Sequence, residues 1–183
     1  MRRLAALWLP FMTCCAFRSS VMTDGAPKGL PSPDEARVVI YGDARTEPFP
    51  IYSNKELVGY AEGRCFFELS CEPGEHAFSS IGHKGLFEGG VAFEAVVIAT
   101  LAAGKTYFIR AHGAHGSGCN GGFHPMLHPI SCRSDEWDKV ERLLRRYQLR
   151  SLPEGTLARI KATERGLLEL TPEGSRLNPE DGR

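Results

Sequence analysis

Residues 69–76 read LSCEPGEH, and residues 101–107 repeat the pattern as LAAGKTY. In each stretch an apolar strand end is followed by glycine and then by a new run of strand-forming residues. Glycine gives the backbone the freedom that a tight turn needs. Two strand-glycine-strand units so close together predict a compact antiparallel β domain.

The composition of the chain agrees with this prediction. The 183 residues fit one domain with a small appendage. Because Lys+Arg 22 equals Asp+Glu 22, no overall charge attracts the protein to nucleic acid, and no nucleic-acid partner is predicted. The 20 glycines and 12 prolines indicate many turns and favour β structure over a helical bundle.

Residues 1–16 are predicted to be a signal peptide. Two arginines precede a short apolar run at residues 4–13, LAALWLPFMT, which ends at Cys14 and Cys15. The run is shorter than the about 20 residues that a membrane-spanning helix requires. It resembles a bacterial lipoprotein leader, in which the cysteine after the apolar run is lipidated. Cys14 and Cys15 are therefore lipidation candidates, and the membrane is the partner of the lipid anchor.

Cleavage by an ordinary secretory route after Ala16 is the alternative. The first reading predicts a protein anchored in the bacterial cell envelope, facing the periplasm or the cell surface. The second predicts a soluble periplasmic or secreted protein. Both place the domain outside the cytosol.

The remaining cysteines are disulfide candidates, because an exported protein folds in an oxidising compartment. They are Cys65, Cys71, Cys119 and Cys132. If residues 65–71 form one strand, its ends lie about 20 Å apart, which is too far for a bridge of about 4.4–6.8 Å between Cα atoms. Cys119 with Cys132, or a strand-to-loop pair, remains open. Cys65 as a small buried apolar residue is the alternative.

The fold class predicted is mainly β, an antiparallel β-sandwich of about seven strands with a C-terminal amphipathic helix. Residues 17–36 are predicted to be a flexible linker and residues 37–133 the sandwich. Asn54 and Lys55 predict a tight hairpin turn, because asparagine tolerates positive φ. The predicted strands cover residues 37–41, 51–53, 57–60, 64–69, 76–81, 91–101 and 105–110.

After Ala111 the sequence becomes rich in glycine and histidine and predicts a loop. Ser134 is then the predicted N-cap of an amphipathic helix that packs on the sandwich. Residues 134–172 are predicted to hold this helix and a short hairpin at residues 157–170, where a second helix is the alternative. Residues 173–183 are predicted to be a flexible tail.

Five pieces in order carry a family resemblance: a first strand, a hairpin, an aromatic strand, Pro-Gly-x-His and Ala-Gly-Lys-x-Tyr. They lie at residues 36–41, 51–59, 66–69, 73–76 and 103–107. In this order the pieces resemble a family of uncharacterised bacterial lipoprotein β-domains, a domain of unknown function similar to PEGA-type sandwiches. The resemblance covers residues 36–110 and implies a β-sandwich on the envelope without known catalytic residues.

One group of residues has metal-ligating chemistry, since imidazole and thiolate are preferred ligands of zinc and copper. The candidates are His112, His115, Cys119, His124 and His128. Their spacing matches no standard metal motif, and a disulfide at Cys119 would remove that residue as a ligand. Surface histidines in a disulfide-held loop are the alternative.

No catalytic residue is predicted, because the sequence lacks a GxSxG motif, a phosphate-binding loop and an HExxH motif. His76 follows a Pro-Gly turn, where an imidazole usually bonds nearby backbone. The hypothesis is a non-enzymatic envelope protein, without a cofactor, that binds a protein, peptidoglycan or glycan partner. The alternative is a periplasmic metal-binding protein that uses residues 112–132.

Overall fold

The computed structural model describes residues 22–25, 32–82, 94–115, 123–152 and 175–183. The strands in these ranges are β1 (Thr23–Asp24), β2 (Ala36–Gly42), β3 (Phe49–Ser53), β4 (Glu56–Ala61), β5 (Cys65–Cys71), β6 (Gly74–Ile81), β7 (Glu94–Leu101), β8 (Thr106–His115), β9 (Phe123–Ile130), β10 (Gln148–Ser151) and β11 (Ser175–Leu177). One α-helix, α1 (Glu136–Leu144), follows β9, and a short 3-10 helix (Pro179–Asp181) follows β11.

The strands form two sheets. The six-stranded sheet has the order β1-β10-β5-β2-β8-β9, and the five-stranded sheet has the order β11-β7-β6-β3-β4. A main core contains residues from strands of both sheets, with Phe78 and Ile51 of one and Ile40 and Ile109 of the other fully buried in it. The molecule is therefore sandwich-like and mainly β, as predicted.

The count and direction of the strands differ from the prediction. The described ranges contain eleven strands rather than about seven, and both sheets are mixed rather than antiparallel. The parallel pairs are β10 with β5, β2 with β8, and β11 with β7. All three pairs join strands that lie far apart in the chain, which a local sequence pattern does not reveal.

The alternation predicted for β5 is confirmed. Phe67 and Leu69 contact the main core, whereas Glu68 forms an ion pair with Arg37. A strand with one apolar face and one polar face is the pattern expected when only one side of a sheet faces the core. The sequence therefore determines which face of this strand is buried.

The helix covers part of the outer face of the six-stranded sheet, as predicted. The Trp137 ring lies 4.4 Å from the Phe108 ring, centroid to centroid, and Trp137 and Val140 are buried. Ser134 is not the N-cap: its hydroxyl donates to the Ser131 carbonyl oxygen over 2.7 Å, and the helix starts after Asp135. None of the described helices has the length and apolar composition needed to cross a membrane.

The predicted glycine- and histidine-rich loop is largely a β-hairpin. β8 extends to His115, and β9 pairs with it from Phe123 to Ile130. Leu127 and Ile130 are buried, so the segment contributes apolar side chains to the interior of the protein. Two prolines are tolerated because β9 is an edge strand, where a missing N–H breaks no sheet hydrogen bond.

Residues 22–25, within the predicted linker, are part of the fold. Thr23 and Asp24 pair with β10, and Met22 is buried in the main core. The Arg150 guanidinium donates to the Met22 carbonyl oxygen and to Asp24. Residues 22–25 are therefore docked on the sheet rather than flexible.

The last residues also differ from the predicted flexible tail. Leu177 is buried in the main core, and β11 adds to the edge of the five-stranded sheet beside β7. The Lys105 ammonium donates to the Pro179 carbonyl oxygen over 3.0 Å, and Arg183 and Thr106 exchange two backbone hydrogen bonds. The hairpin predicted within residues 157–170 lies outside the described residues.

Both glycine turns place the glycine at a positive φ angle. Gly74 has φ +130° and Gly104 has φ +71°. We expect Gly74→Ala to lower the free energy of unfolding by more than about 1 kcal/mol, because a Cβ strains this backbone conformation. Gly104→Asn is the control and should cost less, since asparagine visits the left-handed region. Thermal unfolding followed by circular dichroism measures both, and equal losses would contradict the expectation.

Candidate functional site

An open cleft of about 460 Å³ lies between the β3–β4 hairpin and the end of β5. Its apolar lining comes from Val58 of β4 and from Leu69 and Cys71 of β5. Val58 and Leu69 are half-buried and pack against the main core, and Cys71 is buried in it. The cleft therefore has an apolar floor that continues into the core.

The hairpin wall of the cleft is held in place by Asn54. Asn54 and Lys55 have φ +49° and +70°, the geometry of the predicted tight turn. The Asn54 backbone N–H donates to the Ala77 carbonyl oxygen, and its side-chain Oδ1 accepts from the Ala77 N–H, both over 2.9 Å. These two bonds fasten the hairpin tip to β6.

His76 stabilises the same hairpin tip and the turn before β6. Its Nε2 lies 2.8 Å from the Glu72 carbonyl oxygen and its Nδ1 lies 3.3 Å from Nδ2 of Asn54. Because a carbonyl only accepts and an amide nitrogen only donates, a neutral ring with the proton on Nε2 satisfies both contacts. Both ring nitrogens are thus engaged in holding the turn, as expected for a histidine behind a Pro-Gly turn.

Two strand edges border the cleft. β4 is the last strand of the five-stranded sheet. On the second side of β5, β10 pairs only with Cys65 and Phe66. From Phe67 to Ser70 no strand of the described ranges pairs with that side. The cleft therefore places an apolar floor beside two strand edges.

The rim of the cleft is acidic. Glu56 and Glu72 are both exposed and both line the cleft. The other polar lining residues are Ser53, Asn54, Ser70 and His76, so the part of the lining that the structure describes contains two carboxylates and neither Lys nor Arg. A ligand with hydrogen-bond donors or a positive charge fits this rim better than an anion does.

Comparisons with protein family models, curated proteins and solved structures found no match. The resemblance of residues 36–110 to envelope lipoprotein domains stays a prediction from the order of its motifs. Three of those motifs do form the predicted local structures: the 51–59 hairpin and the glycine turns at Gly74 and Gly104.

The structure brings two of the predicted metal ligands together. The rings of His112 and His128 stack with their centroids 4.8 Å apart and their planes 8° from parallel. His124 lies opposite Ala114 and His115 opposite Phe123 in the β8–β9 register, while Cys119 lies outside the described residues. Within the ranges that the structure describes, no group of three or more His, Cys, Asp or Glu is placed to hold a metal ion.

The stacked geometry of His112 and His128 also bears on metal binding. The lone pair of an imidazole nitrogen lies in the ring plane, and a metal bound to it sits in that plane about 2.0–2.1 Å away. Two stacked, nearly parallel rings do not share a plane. One of the two rings would therefore have to rotate before both could bind the same ion.

The pKa of His128 lies below its ordinary value, chiefly because burial disfavours the charged ring and then because the positive charges of His112 and Arg110 oppose it. Asp43 and Glu136 act in the opposite direction but more weakly. The folded protein therefore binds this proton less readily than the unfolded chain does, whose histidine pKa is about 6.5.

We expect the stabilising contribution of neutral His128 to be complete above pH of about 6.5 and to be lost as the pH falls below it. Urea unfolding at a series of pH values from 8 to 5 should show a steeper loss of stability for the wild type than for His128→Gln. His124→Gln on the same strand is the control, because His124 is not among the groups that shift the pKa of His128. Parallel pH profiles of the wild type and His128→Gln would contradict the expectation.

No disulfide is present among the described cysteines: Cys65, Cys71 and Cys132 are thiols. Cys65 and Cys71 are buried at opposite ends of β5, consistent with the argument that they are too far apart to bond. The Cys132 thiol donates to the Glu180 carbonyl oxygen over 3.2 Å. Cys65 thus agrees with the interpretation of a small buried residue, and Cys119 is the one candidate outside the described ranges.

Sequence reasoning singled out the Pro-Gly turn and His76 but missed the cleft beside them. Val58 and Glu56 gave no signal, because a half-buried valine and an exposed glutamate are ordinary in any strand. The hairpin motif at Asn54 and the turn motif at Gly74 were both recognised. The two motifs meet because Asn54 contacts Ala77 and His76 of β6. This contact depends on the pairing of β3 with β6, which neither motif predicts.

Proposed function

We propose that the protein is a non-enzymatic component of the bacterial cell envelope whose β domain binds another envelope component in the cleft beside β5. The leader at residues 1–16 supports the location, with Cys14 or Cys15 as the lipidated residue. The order of the motifs in residues 36–110, which resembles envelope lipoprotein domains, supports the class of protein.

The observation that carries the binding role is the composition of the cleft. An apolar floor of Val58 and Leu69 lies beside residues 67–70 of β5, which pair with β2 on one side and with no strand of the described part of the chain on the other. Exposed strand edges promote unwanted association unless they are protected or used for binding. The cleft thus combines an apolar floor, a strand edge and a charged rim, which supports a role in recognition.

Site-specific cross-linking in intact cells tests this role. A photoreactive amino acid at Ser70, which is exposed and lines the cleft, should form a cross-link to one envelope component. The control position is Lys139, which is exposed on α1. Mass spectrometry of the product identifies it as protein, peptidoglycan or another glycan. The same yield at both positions, or none at Ser70, would exclude binding in the cleft.

The lipid anchor is tested separately. Cells labelled with a radioactive fatty acid should incorporate the label into the wild-type protein, and Cys14→Ala or Cys15→Ala should abolish it. Label that persists when both cysteines are replaced would exclude lipidation at these residues and leave the secreted form. This outcome would not affect the role of the cleft.

Metal binding is the second candidate function, and the adjacent rings of His112 and His128 favour it. The lowered pKa of His128 keeps this imidazole neutral near pH 7, the form that binds zinc or copper. Calorimetric titration with zinc should give heat that His112→Asn abolishes, and a chelator should lower the melting temperature. An absence of heat would exclude this candidate.

A further inference from the structure

We propose that His112, Met126 and His128 form a copper(I) site on the outer face of the β8–β9 hairpin. This inference rests on the metal-binding candidate and specifies its ion and its third ligand, and it does not depend on the cleft. It follows from three features of the hairpin: the register of its strands, a ring nitrogen of His112 without a hydrogen bond, and the positive charge of Arg110.

The register of the hairpin places Met126 beside the two histidines. His112 lies directly opposite Met126, and Arg110 lies directly opposite His128. Leu127 is buried in the main core, and side chains alternate between the faces of a strand, so Met126 and His128 share the outer face. The stacking of His112 on His128 puts both rings on this face. Opposite residues of an antiparallel pair have Cβ atoms about 4.5–5.5 Å apart, which brings the Met126 thioether within reach of the rings.

His112 has a ring nitrogen that the protein leaves without a partner. Its Nδ1 is buried and forms no hydrogen bond with any residue that the structure describes. A buried nitrogen without a partner costs free energy, and coordination of a metal ion would remove this cost. Because the rings of His112 and His128 are stacked, one of them must first turn about its Cβ–Cγ bond. This torsion is broad in histidine, and both residues are only half-buried.

The ligands and the neighbouring charge favour copper(I) over zinc. Thioether sulfur is a soft ligand that suits copper(I), whereas imidazole suits both copper and zinc. The Arg110 guanidinium lies 3.6 Å from the Glu136 carboxylate, but its effect on the pKa of His128 outweighs that of Glu136. Because Coulomb energy is proportional to charge, Arg110 repels a zinc dication about twice as strongly as a copper(I) monocation at the same place.

Anaerobic titration of copper(I) into the purified protein, in competition with a colorimetric copper(I) chelator, measures the affinity. Accessible thiols are first blocked with iodoacetamide, because thiolates bind the same ion. Met126→Leu nearly preserves the side-chain volume. It should weaken copper(I) binding at least about tenfold, since loss of a ligand costs no less than loss of a residue that only supports one. Zinc binding, which uses the two imidazoles, should stay within about twofold of wild type in this variant and thereby shows that the variant is folded.

Met22→Leu is the matched control. It removes a thioether that is buried in the main core and should leave the copper(I) affinity within about twofold of wild type. X-ray absorption at the copper edge then identifies the ligands. The wild type should show nitrogen neighbours together with one sulfur neighbour, and Met126→Leu should lose the sulfur.

An unchanged copper(I) affinity of Met126→Leu, or a sulfur neighbour that persists in this variant, would overturn the inference. So would equal losses of affinity in Met126→Leu and Met22→Leu. If zinc then still bound in a way that depends on His112, the metal-binding candidate would stand and only the ion and the third ligand would be excluded. If neither ion bound, both would fail, and the role of the cleft would be unaffected.

Discussion

Replacing Arg150 with methionine is expected to lower the free energy of unfolding by about 3–5 kcal/mol. The Arg150 Nε lies 3.1 Å from Oε1 of Glu62, and the exposed fractions of the two side chains are 9% and 1%. Removing the guanidinium leaves a carboxylate in an environment with little water, and it also removes the hydrogen bond to the Met22 carbonyl oxygen. Urea unfolding of the purified protein, followed by tryptophan fluorescence, measures the loss.

Two further variants separate the buried charge from other effects. Asp24 also pairs with Arg150, over 2.9 Å, but its side chain is 77% exposed, so Asp24→Asn should cost less than about 1 kcal/mol. Adding Glu62→Leu to Arg150→Met should recover part of the loss, because no buried charge then remains. A loss of under 1 kcal/mol for Arg150→Met would show that the buried Glu62 carboxylate does not depend on the Arg150 guanidinium.

Leu177→Ala is expected to destabilise the protein by about 2–5 kcal/mol, although the residue lies only six positions before Arg183. Its side chain is 2% exposed in the main core, and its backbone lies opposite Ala99 of β7. Truncation leaves a cavity that the sheets can fill only partly. The midpoint of urea unfolding measures the change.

Arg176→Ala is the matched control for Leu177. Arg176 occupies the same strand but is exposed, and replacement of such a residue changes stability by about 0.5 kcal/mol at most. Equal unfolding midpoints for the two variants would mean that β11 does not contribute to the core. A large difference would establish that the C-terminal residues are part of the domain.

The sequence predicted those parts of the fold that depend on local pattern. The alternation in β5, the positive φ angles at Asn54 and Lys55, and the apolar face of α1 each follow from residues close together in the chain. The apolar run at residues 91–101, predicted as a strand, forms β7 from Glu94 to Leu101, because its β-branched residues pack well between neighbouring strands.

The sequence could not predict the parts that depend on distant pairing. β9 contains two prolines and two histidines, and it forms a strand because β8 offers it a partner and the edge tolerates proline. β10 finds its parallel partner β5 more than eighty residues earlier. The cleft is formed by a hairpin tip, a strand end and a histidine, so no single sequence motif predicts it.

The burial of Met22 has a consequence for how far the domain can stand from a membrane. If Cys15 carries a lipid, only seven residue steps separate the anchored residue from Met22, which is buried in the main core. Seven steps of fully extended chain span at most about 25 Å. This is less than the thickness of a typical bilayer core of about 30 Å. The domain would then stay close to the surface of that membrane and would meet its partner there, because this tether is too short to let it reach farther.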